Sequence, residues 1–368
     1  MVGPTGLATP AHGAASAGAS SRHAVFVQLN DPGGNSVQAY QRARNGTLTP
    51  AGRYPTGGRG GTELQATVDP LASQGSLVYD APHHRLYAVN AGSDTLTVFD
   101  ADGTRLVRRQ VVGSGGAFPV SIAVRGDLLY ALNAGADGSV QGFKITRTGL
   151  APLSYAHRSL RLGNANPPVF ISAPAQVGIS PDARHLVVTT KNHNTIDVFA
   201  LNRDGRPYGD VVATATLTPV PFAFHFTRQG IVVTEVGTSA VTHYRLHADG
   251  TLTPFSSVTD GQVALCWIQA LAGRLYGANA GSGNVSAFEL SATGRVTLSR
   301  RAGGVAASPG GAPIDMTASG GYLYVQNSGV GRIDGYRAAA DGSLTRIGAV
   351  TGLPVAAHGA GMEGIAAS

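Results

Sequence analysis

Two charged residues, Glu235 and Lys191, lie at or directly after a position where five of seven sequence repeats have asparagine. Glu235 closes the apolar phrase Ile231–Glu235, and Lys191 directly follows the phrase Leu186–Thr190. A carboxylate can activate water as a general base, and an ammonium group can hold the negative charge that develops when a carbonyl is attacked. The two residues therefore predict one catalytic site, with Glu235 as the base and Lys191 as the cation. A structural salt bridge made by Glu235 is the alternative.

The same apolar phrase occurs seven times along the chain, which predicts a repeat fold. Each copy is β-rich and ends in a polar residue; the copies are Phe26–Asn30, Leu86–Asn90, Leu129–Asn133, Leu186–Thr190, Ile231–Glu235, Leu275–Asn279 and Leu323–Asn327. Their starts lie 60, 43, 57, 45, 44 and 48 residues apart. A period of about 40–45 residues with four short strands is typical of a β-propeller blade.

One aromatic residue follows each phrase at a nearly constant distance. We expect these seven rings to fill equivalent gaps between neighbouring sheets, as core residues rather than ligand contacts. The rings are those of Tyr40, Phe99, Phe143, Phe199, Tyr244, Phe288 and Tyr336.

The repeats predict an all-β chain, with one seven-bladed β-propeller of four-stranded antiparallel blades over residues 23–368. The first copy begins at its second strand and lacks an inner strand. The C-terminal segment Gly364–Ser368 resembles an inner strand, so we expect the C-terminal strand to close the ring and to remove its exposed edges. Residues 1–22 are interpreted as a disordered leader or the remnant of an export signal. A secreted or periplasmic protein is predicted, with the cytoplasm as the alternative.

The loops after the second strands and the connections between blades lie on one face of such a disc. Two of these connections, Thr56–Gln74 and His157–Ala175, are long, and long loops tend to be functional. We expect Glu235 to face an open cleft on this face. Substrate contacts are predicted among side chains at the openings of the inner strands and at the ends of the second strands: Gln176, Phe222, Cys266, Asp315, Asn133 and Asn279. The alternative for the asparagines is a tight turn, which asparagine favours.

Composition and spacing exclude several classes of function. The formal charge is +6, but the arginines are scattered singly, so a nucleic-acid partner is not expected. No segment approaches the roughly 18 apolar residues of a membrane helix, so a membrane partner is not expected either. One cysteine and no histidine pair at chelating spacing predict no metal site, and no cofactor is expected. We expect a monomer that binds a small molecule.

Three segments resemble the lactonase-type propellers, a family that includes propeller 6-phosphogluconolactonases and fungal carboxymuconate cyclases. They are Leu129-Tyr-Ala-Leu-Asn133, Ile179-Ser-Pro-Asp182 and Ala248-Asp-Gly-Thr-Leu-Thr253, and the resemblance extends over about residues 24–368. Glu235 matches a glutamate of the phosphogluconolactonase pattern. Gln176 stands near the histidine of that pattern, and Pro221-Phe222 replaces its Arg-His pair, so specificity for a phosphosugar is not expected.

The resemblance implies two alternative functions. One is a metal-independent lactonase or lactone-forming cyclase that acts on a small polar organic acid or sugar derivative. The other is a secreted binding propeller that has lost the chemistry. Glu235 with Lys191 favours the enzyme, whereas the missing histidine and arginine favour the binding protein.

Overall fold

Seven small antiparallel sheets surround one axis. The computed structural model describes residues 23–299, 304–356 and 361–368, so the predicted leader 1–22 lies outside the described residues. Within these ranges every helix is a single 3₁₀ turn; these turns are Ala91–Ser93, Phe170–Ser172, Val236–Thr238 and Ser328–Val330. No helix in the described part of the chain has the length and apolarity needed to cross a membrane.

The strands are short, as the spacing of the apolar phrases predicts. In chain order they are β1 (Ala24–Gln28), β2 (Ser36–Arg42), β3 (Leu48–Pro55), β4 (Leu77–Asp80), β5 (Arg85–Asn90), β6 (Thr95–Asp102), β7 (Arg105–Gly113), β8 (Pro119–Arg125), β9 (Leu128–Asn133), β10 (Ser139–Thr146), β11 (Gly149–Ser159), β12 (Pro174–Ile179), β13 (His185–Thr190), β14 (Thr195–Leu201), β15 (Pro207–Ala215), β16 (Pro221–Phe226), β17 (Gly230–Glu235), β18 (Ala240–Leu246), β19 (Leu252–Thr259), β20 (Leu265–Leu271), β21 (Arg274–Asn279), β22 (Asn284–Leu290), β23 (Val296–Leu298), β24 (Val305–Ala307), β25 (Pro313–Ser319), β26 (Tyr322–Asn327), β27 (Arg332–Ala338), β28 (Leu344–Val350) and β29 (Glu363–Ala367).

Each sheet is one blade of a propeller. The first blade has the strand order β29-β1-β2-β3, and the others are β4 to β7, β8 to β11, β12 to β15, β16 to β19, β20 to β24 and β25 to β28. The innermost strands contact one another in a closed ring, in the order β29, β4, β8, β12, β16, β20, β25. In the sixth blade two short strands, β23 and β24, share the outer position along β22. The prediction of a seven-bladed propeller with four-stranded blades is confirmed.

The C-terminal strand completes the first blade. Its residues pair antiparallel with β1, with Ala367 opposite Val25 and Ile365 opposite Val27. Ser368 extends the contact, because its Oγ accepts a hydrogen bond from the backbone N–H of Ala24 at 2.8 Å. The predicted closure is confirmed, and the strand begins at Glu363, one residue before the predicted start.

The aromatic residue of each repeat is core, as expected. All seven rings are buried, with at most 4% of their surface exposed. In six blades the pairing between the third and the outer strand shifts register beside this residue. Such a bulge bends and twists the strand locally, which lets the ring enter the gap between blades.

The disc has two faces, which differ in the loops that they carry. We call the hairpin face the one that carries the turns between first and second and between third and fourth strands, and the connection face the opposite one. The two long connections meet on the connection face, where Leu64 and Val169 form an isolated parallel bridge. The Leu64 N–H donates to the Pro168 carbonyl at 2.8 Å, and the Phe170 N–H donates to the Leu64 carbonyl at 2.9 Å.

Candidate functional site

The channel mouth on the connection face is crossed by residues 63–75, which follow β3; we call this segment the plug. It hydrogen-bonds to five other parts of the ring, through the pairs Ser73–Val120 (2.8 Å), Gln74–Ala175 (3.1 Å), Ser73–Trp267 (2.8 Å), Val68–Ser328 (2.6 Å) and Leu71–Glu363 (3.3 Å). The partners belong to the third, fourth, sixth, seventh and first blades. The plug therefore fills the axis by contacting nearly the whole ring.

Glutamine side chains hold the inner strands in place. Gln74 of the plug accepts from the Ile268 N–H at 3.0 Å and donates to the Ile268 carbonyl at 3.1 Å. Gln176 makes the same pair of hydrogen bonds to Phe224, at 2.7 and 3.2 Å, and so joins β12 to β16. The amide of Gln176, a predicted substrate contact, is engaged in linking two blades.

Five ionisable side chains lie buried at the axis, two of them from the plug itself, and we call them the axial cluster: Glu63, Asp69, Lys191, Asp315 and Glu363. None of them is more than 4% exposed. The Nζ of Lys191 lies 3.4 Å from the Oε2 of Glu63 and donates to the Ala72 carbonyl at 3.0 Å. Lys191 therefore pairs with Glu63 of the plug.

Aromatic rings surround the ammonium group of Lys191. The Nζ lies 4.8 Å from the ring centroid of Phe170 and 5.7 Å from that of Phe222. Phe222 in turn packs edge to face against Trp267, with ring centroids 5.0 Å apart. A cation held between aromatic faces and away from water interacts strongly with any anion that reaches it.

The four carboxyl groups of the axial cluster are driven toward their neutral forms. Burial raises the pKa of Glu63 well above its ordinary value, although Lys191 opposes the shift. Burial also raises the pKa of Asp69 and of Glu363, and the charge of the neighbouring Asp69 raises the pKa of Glu363 further. Two neighbouring carboxyl groups disfavour being ionised together, so the neutral form of Glu363 is favoured.

Asp315 is the carboxyl group whose pKa lies nearest to neutrality. Burial raises the pKa of Asp315 from 3.8 to about 7, while N–H groups that favour the charged form oppose the shift. Two of these donors are the Met316 N–H at 2.8 Å and the Ile365 N–H at 3.4 Å. A group with such a pKa can both take and return a proton at neutral pH.

Cys266 lies in the same region, since Asp69 and Lys191 both act on its thiol. Burial raises the pKa of the Cys266 thiol far above neutrality. The thiolate is the nucleophilic form, so this side chain is a neutral wall of the site.

Glu235 lies outside the axial cluster, and the expectation that it faces an open cleft is wrong. Its side chain is fully buried. The carboxylate accepts hydrogen bonds from Thr218 and Thr242, both at 2.7 Å, and from the hydroxyl of Tyr244. The structure places Glu235 as an acceptor that ties β17 to β18 and to the connection before β16.

The asparagines at the equivalent position of other repeats also hydrogen-bond to the following strand, but as donors. Asn279 donates to Asn284 at 2.8 Å and to Ser286 at 2.9 Å. Asn133 donates to Ser139 at 3.3 Å. Both side chains are fully buried and fix the turn after a second strand. Glu235 fits this pattern because its partners are hydroxyl donors, whereas an asparagine amide needs acceptors.

The structure brings together three of the predicted site residues, Lys191, Phe222 and Cys266, and a fourth, Asp315, lies near Asp69, whose charge acts on both Asp315 and Cys266. It does not bring Glu235 to them, and it engages the amides of Gln176, Asn133 and Asn279 in links within the fold. Sequence reasoning missed Glu63, Asp69 and Glu363 as site residues. The signal for the first two was present, because both are acidic residues in the predicted long connection Thr56–Gln74. Within the residues that the structure describes, no three histidine, cysteine or acidic side chains converge as metal ligands do.

Comparisons with known proteins agree with this architecture. Residues 156–266 match the sequence model of the family described as "Lactonase, 7-bladed beta-propeller". No curated protein matches the sequence.

Solved structures with similar folds cover nearly the whole chain. A Bacteroides fragilis protein provisionally described as a 6-phosphogluconolactonase is 17% identical, with a TM-score of 0.70 over 95% of this chain and 99% of its own. The periplasmic gluconolactonase of Pseudomonas aeruginosa is 16% identical, with a TM-score of 0.68 over 90% of this chain and 97% of its own. A Lactobacillus plantarum protein is 17% identical, with a TM-score of 0.69 over 94% and 99%. The family match covers residues 156–266, less than a third of the chain, and the similarity to these solved structures shows that the chain shares their seven-bladed β-propeller fold.

Proposed function

We propose that the axial cluster hydrolyses the ring of a lactone, with Asp315 as the general base and Lys191 as the cation that holds the oxyanion. One observation carries the proposal: an ammonium group and four carboxyl groups are buried together at the channel axis. Burying a charge costs several kcal/mol, and strongly perturbed ionisable groups gather at functional sites. The match of residues 156–266 to the lactonase family model and the similarity to the gluconolactonase of P. aeruginosa support a lactone as the substrate.

The proposed reaction uses only side chains of this chain and water. The Asp315 carboxylate takes a proton from water, and the resulting hydroxide bonds to the lactone carbonyl carbon. The carbonyl oxygen takes the negative charge beside Lys191, whose low-dielectric surroundings of Phe170 and Phe222 strengthen that interaction. The ring C–O bond then breaks, and the leaving alkoxide takes the proton from Asp315 to give a hydroxy acid.

Access to the cluster requires the plug to move, because all five members are buried and two of them, Glu63 and Asp69, belong to the plug. Glu63 holds the ammonium of Lys191 in the closed state, in the place that we assign to the oxyanion of the reacting ring. Displacing the plug breaks the Leu64–Val169 bridge and the contact of Lys191 with Ala72. We expect a small polar lactone, formed from an organic acid or a sugar acid, to take the place of the Glu63 carboxylate.

The test is a panel of lactones with uncharged and carboxylated five- and six-membered rings. Asp315→Asn should lower turnover by about 10²–10⁴-fold, because it removes the base and keeps the shape. Lys191→Met should also lower turnover. Its melting temperature is measured beside the activity, so that activity lost through unfolding is recognised. Asp102→Asn, at an exposed turn, is the matched control and should retain full activity. Hydrolysis by Asp315→Asn at the wild-type rate would overturn the assignment of the base.

The sequence-based assignment of Glu235 as the base stays a prediction, and the same panel tests it. If Glu235 acts only as the acceptor described above, Glu235→Gln keeps its lactone hydrolysis and loses stability. Activity lost in Glu235→Gln and kept in Asp315→Asn would return the base to Glu235.

A binding propeller without catalysis is the second candidate, and the closed plug favours it. The plug hydrogen-bonds to five blades and closes the channel mouth. A closed mouth is expected in a protein whose axial residues stabilise the fold and do not turn over a substrate. The absence of hydrolysis by the wild type on every ring, together with a ligand-induced rise in melting temperature, would select this function.

We also propose a secreted or periplasmic monomer. The small-residue composition of residues 1–22 and the periplasmic location of the P. aeruginosa protein support the location. Cell fractionation and intact mass should find the chain outside the cytoplasm and shortened at its N-terminus, and light scattering should give the mass of one chain. A full-length chain in the cytoplasmic fraction would contradict the location.

A further inference from the structure

Three adjoining clefts open on the hairpin face of the third to fifth blades, opposite the plug. The first is about 480 Å³ and lies between Arg125, Lys144 and Arg206. The second is about 650 Å³ and contains Arg184 and Tyr208. The third is about 390 Å³. Arg203 lines both the first and the second cleft, and His185 lines both the second and the third, so the clefts form a continuous track.

The track carries an excess of positive charge. Six basic side chains line it against three carboxylates, Asp127, Asp182 and Asp204. Asp204 is paired with Arg206, and Asp127 lies 3.2 Å from the Nε2 of His83. Within the described residues, Lys144, Arg203 and Arg228 form no ion pair. Unpaired cations that line a concave surface focus a positive potential there.

The connection face of the same three blades is nearly devoid of exposed basic residues. In the described chain its loops carry one exposed arginine, Arg161, since Lys191 is buried. Arginines that are scattered singly along the sequence therefore lie mainly on the hairpin face of these three blades. The turns of three successive blades bring basic residues that are far apart in the sequence to one track. The scattered positions of the arginines in the sequence did not predict this.

The floor of the track is preorganised by hydrogen bonds between blades. Tyr130 donates to the Gly205 carbonyl at 2.6 Å, and the Nε of Arg206 donates to the Ser154 carbonyl at 2.8 Å. These bonds join the third blade to the turn between β14 and β15. A ligand that binds here pays little to order the backbone beneath it.

We propose that this track binds an acidic oligosaccharide, a chain of sugar rings that carry carboxylate groups. The guanidinium forks of Arg184 and Arg203 match carboxylates, and each cleft has the volume of a small-molecule site. The ring of Tyr208, 56% exposed in the same cleft, offers an apolar face on which a sugar ring can lie. Asp182 is exposed beside it and accepts hydrogen bonds from sugar hydroxyls.

The mixed charge of the track argues against a nucleic acid. A phosphate backbone offers acceptors only, so the carboxylates of Asp127 and Asp182 would repel it, whereas sugar hydroxyls donate to them. Tyr208 is the one aromatic side chain more than half exposed in the three clefts, and stacking along single-stranded nucleic acid uses successive aromatic platforms.

The test measures calorimetric binding of a galacturonic acid oligomer to the full chain. The wild type should bind, more weakly at high salt. The double variant Arg184→Gln/Arg203→Gln should weaken binding about 10-fold or more, because each lost guanidinium–carboxylate contact is a charge-assisted hydrogen bond. Tyr208→Ser should weaken it as well. All three positions are exposed, so the melting temperatures should stay close to that of the wild type.

The matched control is Arg44→Gln/Arg105→Gln, which removes the same charge from exposed turns of the first and second blades on the same face. It should leave the affinity within about twofold. Equal losses in the two double variants would show attraction by net charge alone and would overturn the proposal. No binding at low salt, or tighter binding of a single-stranded DNA oligonucleotide or of polyphosphate, would overturn it too. The proposal is independent of lactone hydrolysis at the channel axis.

Discussion

Replacing Asp315 by asparagine should make the fold more stable in alkaline solution while it abolishes the proposed catalysis. Burial raises the pKa of Asp315 from 3.8 to about 7, so the folded chain holds the proton more tightly than the unfolded chain does. The group therefore contributes stability that is complete below pH 3.8 and is lost as the pH rises through about 7. About three pKa units at 1.36 kcal/mol each correspond to about 4 kcal/mol in the free energy of unfolding.

Asparagine imitates the protonated carboxyl group at every pH. Its Oδ1 keeps an acceptor for the Met316 N–H, whereas its NH₂ group cannot accept from the Ile365 N–H, a loss that is the same at every pH. Near about pH 4 the wild-type carboxyl group is protonated in the folded chain, so the two proteins should differ there only by this constant loss. Near about pH 9 the variant should be more stable by up to about 4 kcal/mol, because the wild type must bury a charge or give up the fold.

The assay is urea unfolding of both proteins at a series of pH values. The difference between their unfolding free energies cancels the titration of every other group, including the three remaining carboxyl groups of the axial cluster. It should change in favour of the variant between about pH 4 and about pH 7, which are the pKa values of the group in the unfolded and the folded chain, and stay level above that. A difference for Asp315→Asn that is flat between about pH 4 and about pH 9 would refute the reasoning.

Three further predictions concern other parts of the fold. Glu235→Gln should lower the unfolding free energy in urea by about 1–3 kcal/mol, because one buried carboxylate accepts from three hydroxyl donors, and an unchanged midpoint would contradict that role. A chain truncated after Gly361 lacks β29, exposes the edge of β1 and should melt more than about 5 °C lower; a shift within about 2 °C would disprove closure by this strand. Cys266 should resist a thiol reagent in the folded chain and react at once in urea, because burial raises its pKa and blocks access; rapid labelling of the native protein would show that the plug opens freely.

The local pattern of the chain was sufficient to predict its architecture. A repeated apolar phrase, a turn and an aromatic residue at constant spacing describe one blade, and seven copies describe the ring. The buried rings of Tyr40 and Phe288 lie where that spacing predicts, since each blade contacts only its neighbours. Closure followed from counting strands, because an unpaired inner position and a spare strand leave one arrangement without exposed edges.

The candidate site was decided by tertiary structure. Glu63, Lys191 and Asp315 are far apart in the chain, and only the radial arrangement of the blades brings them to one axis. The path of the plug across that axis is set by its contacts with five blades. The sequence repeat does not predict these contacts. Glu235 shows the same limit in reverse: its departure from asparagine suggested a catalytic base, yet the hydroxyl donors that surround it in the fold explain a carboxylate at that position. The repeat predicts the strands and the packing that all blades have in common. The charged residues that meet at the axis have no fixed spacing in the sequence, so the repeat does not predict which of them pair.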